Sequence, residues 1–231
     1  MLQIVLGASS MSSEPKGKII AVGPADASAK TTDVVESIIS AILDVGQVDV
    51  VGINEGIFLA CSAVNMASEI AKVYVEDMCI AILEAPALAK SSAISMHLGQ
   101  KQTWDYTKIA EQEEKGFQDI EEQTVSVSRS ATFERLLTIS LLRLARFDKI
   151  RIVAAGGSIS DAVSLALKLT TGQISKDQVG IKLLHLYSII MRNDPTKSIA
   201  AISIFLQKGI PTQFSKRQRD LIKKLESGNL S

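Results

Sequence analysis

The sequence predicts an α/β (α+β) chain built from two tandem copies of one small β-α-β-α-β-β domain. Three observations carry the prediction. Apolar segments alternate between strand-like and helix-like spacing, with Gly- and Pro-containing stretches between them. The order of segments repeats once, with a period on the order of 105 residues, too long and too few for a solenoid. Residues repeat with it: Ala63-Val64 and Ala162-Val163 fall in matching helices, and Ala93-Ile94-Ser95 and Ala201-Ile202-Ser203 in matching final strands. At 231 residues the chain has room for two cores.

In the first copy, Lys18-Ile19-Ile20-Ala21-Val22 predicts a strand and Gly23-Pro24 a loop. Thr31-Thr32-Asp33 supply capping oxygens for a helix carrying Val34, Val35, Ile38, Ile39, Ala41 and Ile42, and Gly46 supplies its stop. The β-branched run from Val48 to Ile53 predicts the second strand. A helix from about Phe58 to Lys72 follows Gly56, with Leu59, Ala63, Met66 and Ile70 on its inward stripe. Strands from Tyr74 to Glu84 and from Ala93 to Leu98 flank a turn at Pro86 and Lys90-Ser91-Ser92.

The acidic stretch from Gln100 to Glu122 reads as a linker, partly helical, pinned by Trp104, Tyr106 and Phe117. The pattern then returns: a strand at Thr124-Val125-Ser126-Val127, a broadly apolar helix from Phe133 to Phe147 and a strand at Ile150-Arg151-Ile152-Val153. Gly156-Gly157 leads into a helix from Ser158 to Leu169 that Gly172 ends. A long strand from Val179 to Met191, a turn at Asn193-Asp194-Pro195 and a last strand from Ile199 to Leu206 complete the copy. The organisation is an N-terminal extension (1–15), domain 1 (16–101), a charged linker (102–122), domain 2 (123–209) and a basic tail on a short helix (210–231).

Charge is balanced, with 25 basic and 25 acidic side chains, so any nucleic-acid binding needs local basic patches. Cys61 and Cys79 lie in apolar stretches without zinc spacing, and read as buried small hydrophobes. With only His97 and His185 besides, both in apolar strands, neither a metal centre nor another cofactor is expected, and the chain is expected not to be an enzyme. No apolar run reaches the roughly 18 residues that span a bilayer. The start is short, apolar and without a positive region, a poor signal peptide, and Met11 is the more natural first residue. The expectation is a cytoplasmic protein, nucleoid-associated if it binds DNA.

Three groups of residues are candidates for contact with an anion. Gly156-Gly157-Ser158 opens a helix, where free N–H groups can hold a phosphate, or simply forms a tight turn. Arg192 and Lys197 flank the tip of the second copy's last hairpin, and Lys90 holds the matching place in the first. The tail residues Lys216, Arg217, Arg219, Lys223 and Lys224 are the densest positive charge in the chain, either a phosphate-binding helix or a solvated one with Asp220 and Glu226 as partners. Arg135, Arg143 and Arg146 read as a solubilising helix face.

The stretch Ile150-Arg151-Ile152-Val153-Ala154-Ala155-Gly156-Gly157-Ser158-Ile159-Ser160-Asp161-Ala162-Val163 resembles the second strand and helix of Alba domains, the family of archaeal chromatin and RNA-binding proteins. Ser198-Ile199-Ala200-Ala201-Ile202-Ser203-Ile204-Phe205 is similar to that family's closing strand. Val50-Val51-Gly52-Ile53-Asn54-Glu55-Gly56 and Ser92-Ala93-Ile94-Ser95-Met96 follow the same plan in the first copy. The resemblance implies four-stranded mixed sheets with two helices each, paired here as an intramolecular pseudo-dimer. It also implies binding of DNA or RNA without sequence preference, through a basic central surface and the last hairpin. On this chain those positions carry Arg129, Arg151, Arg192 and Lys197. It further implies self-association or pairing with an Alba-family protein. The sequence departs from the family pattern at Pro24-Ala25-Asp26 in the first copy's loop, at Ala155, Gly157 and Asn54-Glu55-Gly56 in the turns, and at Asp161, where the family has a lysine. The alternative reading is an interaction or assembly module that has lost direct contact with nucleic acid.

Overall fold

A computed structural model describes residues 18–23, 30–85, 89–171, 178–191 and 193–228. The expectations for Met11, Pro24-Ala25-Asp26, Pro86, Gly172 and Arg192 lie outside the described residues. In chain order the elements are β1 (Lys18–Val22), α1 (Thr31–Val45), β2 (Gln47–Ile53), α2 (Gly56–Ala71), β3 (Tyr74–Ala85), β4 (Ala89–Gly99), α3 (Tyr106–Glu114), α4 (Ile120–Gln123), β5 (Thr124–Ser126), α5 (Phe133–Arg146), β6 (Lys149–Ala155), a 3-10 turn (Gly156–Ser158), α6 (Ile159–Thr170), β7 (Val179–Met191), β8 (Asp194–Lys208) and α7 (Lys216–Ser227). They form two similar mixed α/β domains, each with one four-stranded sheet, ordered β1-β2-β4-β3 and β5-β6-β8-β7.

In each sheet the first two strands are parallel and the remaining pairs antiparallel. A parallel pair needs a crossover, which α1 provides in one domain and α5 in the other. The described residues divide into two compact units. One holds 18–104 together with 214–228, and the other is Asp105–Gln213.

In the first unit, α1 buries Val34, Val35, Ile38, Ala41 and Ile42, at helical spacing, and ends at Gly46 in the left-handed conformation, φ 78°. Its partner α2 corrects the expected stripe. The inward face is Ile57, Ala60, Cys61, Ala63, Val64 and Ala67, while Ile70 is 64% exposed. The reason is a close helix–sheet approach. A Cβ on Gly52 of β2 would lie 2.6 Å from the Ile57 Cα, and one on Gly56 would strike the Val22 carbonyl. Only a face of small residues sits that near the backbone, so the long side chains turn outward. The opposite face of the sheet is covered by α7, whose Leu221 and Leu225 pack with Val51, Ile53, Leu83 and Ala93. The expected tail is therefore a docked helix. The expected turn at Lys90-Ser91-Ser92 is strand, because β4 begins at Ala89 and pairs with β3 from Ala85 onward.

In the second unit, α6 buries Ile159, Ala162, Val163, Leu165, Ala166, Leu167 and Leu169. The broad apolar band of α5 is covered only along Leu136, Ser140 and Leu144, and Leu142 is exposed. The stretch expected as a linker forms α3 and α4, and α3 packs Ala110, with Tyr106 and Ile109 beside it, on Leu183 and Phe205. Phe117 meets the Phe205 ring edge-on at 6.0 Å. The expected turn at Asp194-Pro195 belongs to β8, which pairs with β7 from Met191 back to Val179.

Candidate nucleic-acid interface and a buried polar cluster

The candidate cations separate into those held by carboxylates and those facing solvent. On the second unit's sheet, Arg151 is half-buried and bound to Glu114 of α3, with its Nε also donating to the Thr124 hydroxyl at 3.3 Å. Lys197 on the hairpin is paired with Asp194 at 2.8 Å. Hydrogen bonds from Lys197 and Thr196 hold the Asp194 carboxyl below the usual aspartate range. On the first unit, Lys90 pairs with Glu84 at 3.2 Å, both side chains being exposed. Such exposed pairs are weak, and a phosphate can compete for their lysines.

Arg217 is the largest departure from expectation. It turns inward, and its Nη2 donates to both oxygens of Asp49, at 2.7 and 2.8 Å. The same nitrogen lies against His97 Nδ1, which also stands 3.1 Å from Asp49 Oδ1. On the far side His97 Nε2 faces Glu76 at 3.7 Å. An arginine nitrogen can only donate, so Nδ1 accepts from it when the ring is neutral, which places the ring proton on Nε2 toward Glu76. Gln218 adds a second clamp, its amide donating to both oxygens of Asp77 at 2.9 and 3.1 Å. Burial raises the Asp77 carboxyl above its ordinary value, against the backbone bond to Met78, the Arg217 charge and the Gln218 bond, which lower it.

The cleft lined by Asp49, Asp77, Cys79, Ser95, His97, Arg217 and Gln218 has a cavity volume of about 10 Å³, room for about one water molecule and far too little for a ligand. Burial also pushes the Cys61 thiol up to about 12 and raises Cys79 further, its neighbours Asp77 and Asp49 adding to the shift. Neither thiol is a nucleophile at neutral pH. Sequence reasoning missed this cluster because Asp49 and His97 stand in apolar strands and Arg217 lies among other cations. The one signal was a charged residue, Asp49, in the middle of a β-branched strand.

The outward cations are Lys216, Arg219 and Lys223, exposed along one side of α7, with Lys224 half-buried beside them. Arg219 also donates to the Phe214 carbonyl. In the second unit Arg129 is exposed in the loop after β5. Its guanidinium lies against Gly157 so closely that a Cβ there would overlap it. Arg129 and the Gly156-Gly157-Ser158 turn, separate in sequence, are thus one place in the fold. Gly156 takes φ +58°, which glycine adopts without cost. Ser158 is buried and makes no capping bond, so the turn offers main-chain groups and a guanidinium rather than a hydroxyl.

The described fold defines a two-domain mixed α/β protein with no helix, among the described residues, long and apolar enough to cross a membrane. No protein-family model matches this chain, and no curated protein matches it in sequence.

Proposed function

We propose that the protein is a non-catalytic, sequence-independent nucleic-acid-binding protein of the Alba type that contacts phosphates through a small set of outward cations. The observation that carries this reading is the stripe Lys216, Arg219 and Lys223, which recurs at three and four residues along the solvent side of α7. That spacing places the charges on one helix face, where they follow a phosphate backbone without reading bases. Arg129 at the glycine turn supplies a second phosphate contact, on the other unit. The footprint is smaller than the sequence suggests, because Arg151 and Arg217 are held by Glu114 and Asp49.

Titration of short duplex DNA, duplex RNA and single strands across a salt series tests this. Each neutralised phosphate contributes a slope of about −0.9 in log K against log salt, so three or four contacts give about −3. Lys216→Glu with Lys223→Glu should abolish binding at low salt while leaving the fold intact. Absence of binding by the unaltered protein at low salt would defeat the reading.

A second reading, an assembly module of the same ancestry, is favoured by the second unit's hairpin. Its β7 end exposes Ile189, Ile190 and Met191, with Ile190 at 70%. Apolar residues at a hairpin tip suit a protein partner better than a phosphate backbone. Oligomer mass in solution, compared with Ile190→Lys, distinguishes this reading: loss of an assembled species in the variant supports it, and an unchanged monomer removes it.

A further inference from the structure

Outside the repeated β-α-β-α-β-β plan, the helices α3 and α7 are alike. Gly99 of β4 lies opposite Gln47, and Gln207 of β8 opposite Lys149, so Gly99 and Gln207 hold matching register positions. Six residues beyond Gly99 comes Asp105, whose carboxylate caps α3 by accepting from the Lys108 N–H at 3.2 Å. Eight residues beyond Gln207 comes Ser215, whose hydroxyl caps α7 by accepting from the Gln218 N–H at 3.1 Å. An aromatic residue precedes each cap, Trp104 in one case and Phe214 in the other. Each helix then packs on the sheet face that the crossover helices leave open.

Neither helix covers the sheet it follows. The one after the first domain, α3, belongs to the unit of the second, and α7, after the second domain, belongs to the unit of the first. The charges explain the choice. Register matches Asp49 with Arg151, since they oppose His97 and Phe205 at corresponding positions. It also matches Glu76 with Lys182, the residues at the bulges between Val75 and Asp77 and between Ile181 and Leu183. The first sheet is therefore acidic where the second is basic. The helices are reversed in the same sense. Glu113 and Glu114 of α3 hold Lys182, at 2.7 Å, and Arg151. On α7, Arg217 holds Asp49.

We propose that α3 and α7 are one element, a lid helix following the last strand, that the two domains have exchanged lids, and that the reversed charges on the sheets decide which lid each accepts. The open face of each sheet is a receptor for an amphipathic helix of opposite sign. With α3 on the first sheet, Glu113 and Glu114 would meet Asp49 and Glu76, like charges at a desolvated contact, so the nearer helix is rejected and the distant one taken.

The test uses the full chain with a protease recognition sequence inserted between Gln102 and Thr103, exposed residues of the connection before α3. After cleavage the second piece still carries α7, so the two pieces should co-elute in gel filtration. Arg217→Glu should weaken their association by roughly tenfold or more, and Arg217→Glu with Asp49→Arg should recover most of it. Glu114→Lys should leave the association unchanged, because α3 and its sheet stay on one piece. Circular dichroism of each uncleaved variant verifies folding. Separation of the unaltered pieces, or co-elution that ignores Arg217→Glu, overturns the exchange. Failure of the double reversal to restore association overturns the charge rule.

Discussion

Asp49 is 1% exposed, and a carboxylate so placed is tolerated because Arg217 donates to both its oxygens. Removing the partner of a buried charge leaves that charge uncompensated, at a cost of about 3 kcal/mol or more. Arg217→Ala is therefore expected to lose about that much in urea titration. Arg219→Ala, two positions on and exposed, should stay within about 0.5 kcal/mol. In the sequence these arginines read alike. What separates them is a partner 168 residues away, and no local pattern carries that information. Asp77 gives a pH signature. Its carboxyl is raised in the folded protein, so its contribution is fully present below the ordinary aspartate range and is lost as pH rises through the raised value. Asp77→Asn keeps an acceptor for Gln218 and removes the titration. Stability of the variant relative to the parent should therefore increase across that window and be level on either side. A difference independent of pH would show that Asp77 does not ionise there. His185, stacked on Tyr187 at 4.9 Å, is lowered by burial, with the Asp105 charge opposing, and disfavours folding as pH falls through the ordinary histidine range.

The elements show which signals are local and which are not. The strands and α1 were legible because β-branched runs and a stripe of Val34, Val35, Ile38 and Ile42 depend on backbone periodicity alone. The face of α2 was misread because its packing is governed by Gly52 and Gly56, two residues that present no side chain to a hydrophobic pattern. This yields a contrast between glycines. A methyl at Gly56 would strike the Val22 carbonyl, backbone that cannot move aside, so Gly56→Ala should cost about 2 kcal/mol or more. Gly156 has open space around it, and Gly156→Ala should cost only about 1 kcal/mol, for the positive φ. Thermal melts of the two variants check the order. If Gly156→Ala proves the costlier, close helix–sheet approach is not what that glycine pair secures. The helical character of both lids and the pinning of the first by Tyr106 and Phe117 were legible, but not the sheet each covers: α3 is rich in acids and α7 in bases, and the opposite charge each meets is set by strands distant in sequence.

At the scale of the whole chain, the duplication was legible from residue repeats, whereas the crossing of α3 and α7 between units was not. The crossing makes the stability of the first domain depend on the last residues of the chain. Both cysteines lie in that domain, and Cys79 lines the cleft beneath Arg217 and Leu221. Buried and with raised pKa values, the two thiols should be silent to a thiol reagent in the native protein and react together when the first domain unfolds. A variant ending at Gln213 loses Leu221 and Leu225 from the apolar cluster, burial worth about 2 kcal/mol for each side chain. It also leaves Asp49 without Arg217. Thiol exposure should therefore shift to distinctly lower urea, although both cysteines lie more than a hundred residues before the truncation. The ring pair of Phe117 and Phe205 lies wholly within Asp105–Gln213 and should keep its near-ultraviolet signal at the original urea midpoint. A truncation that left thiol reactivity unchanged would mean that α7 does not seal the first sheet. A loss of both signals together would mean that the helix supports the second unit as well.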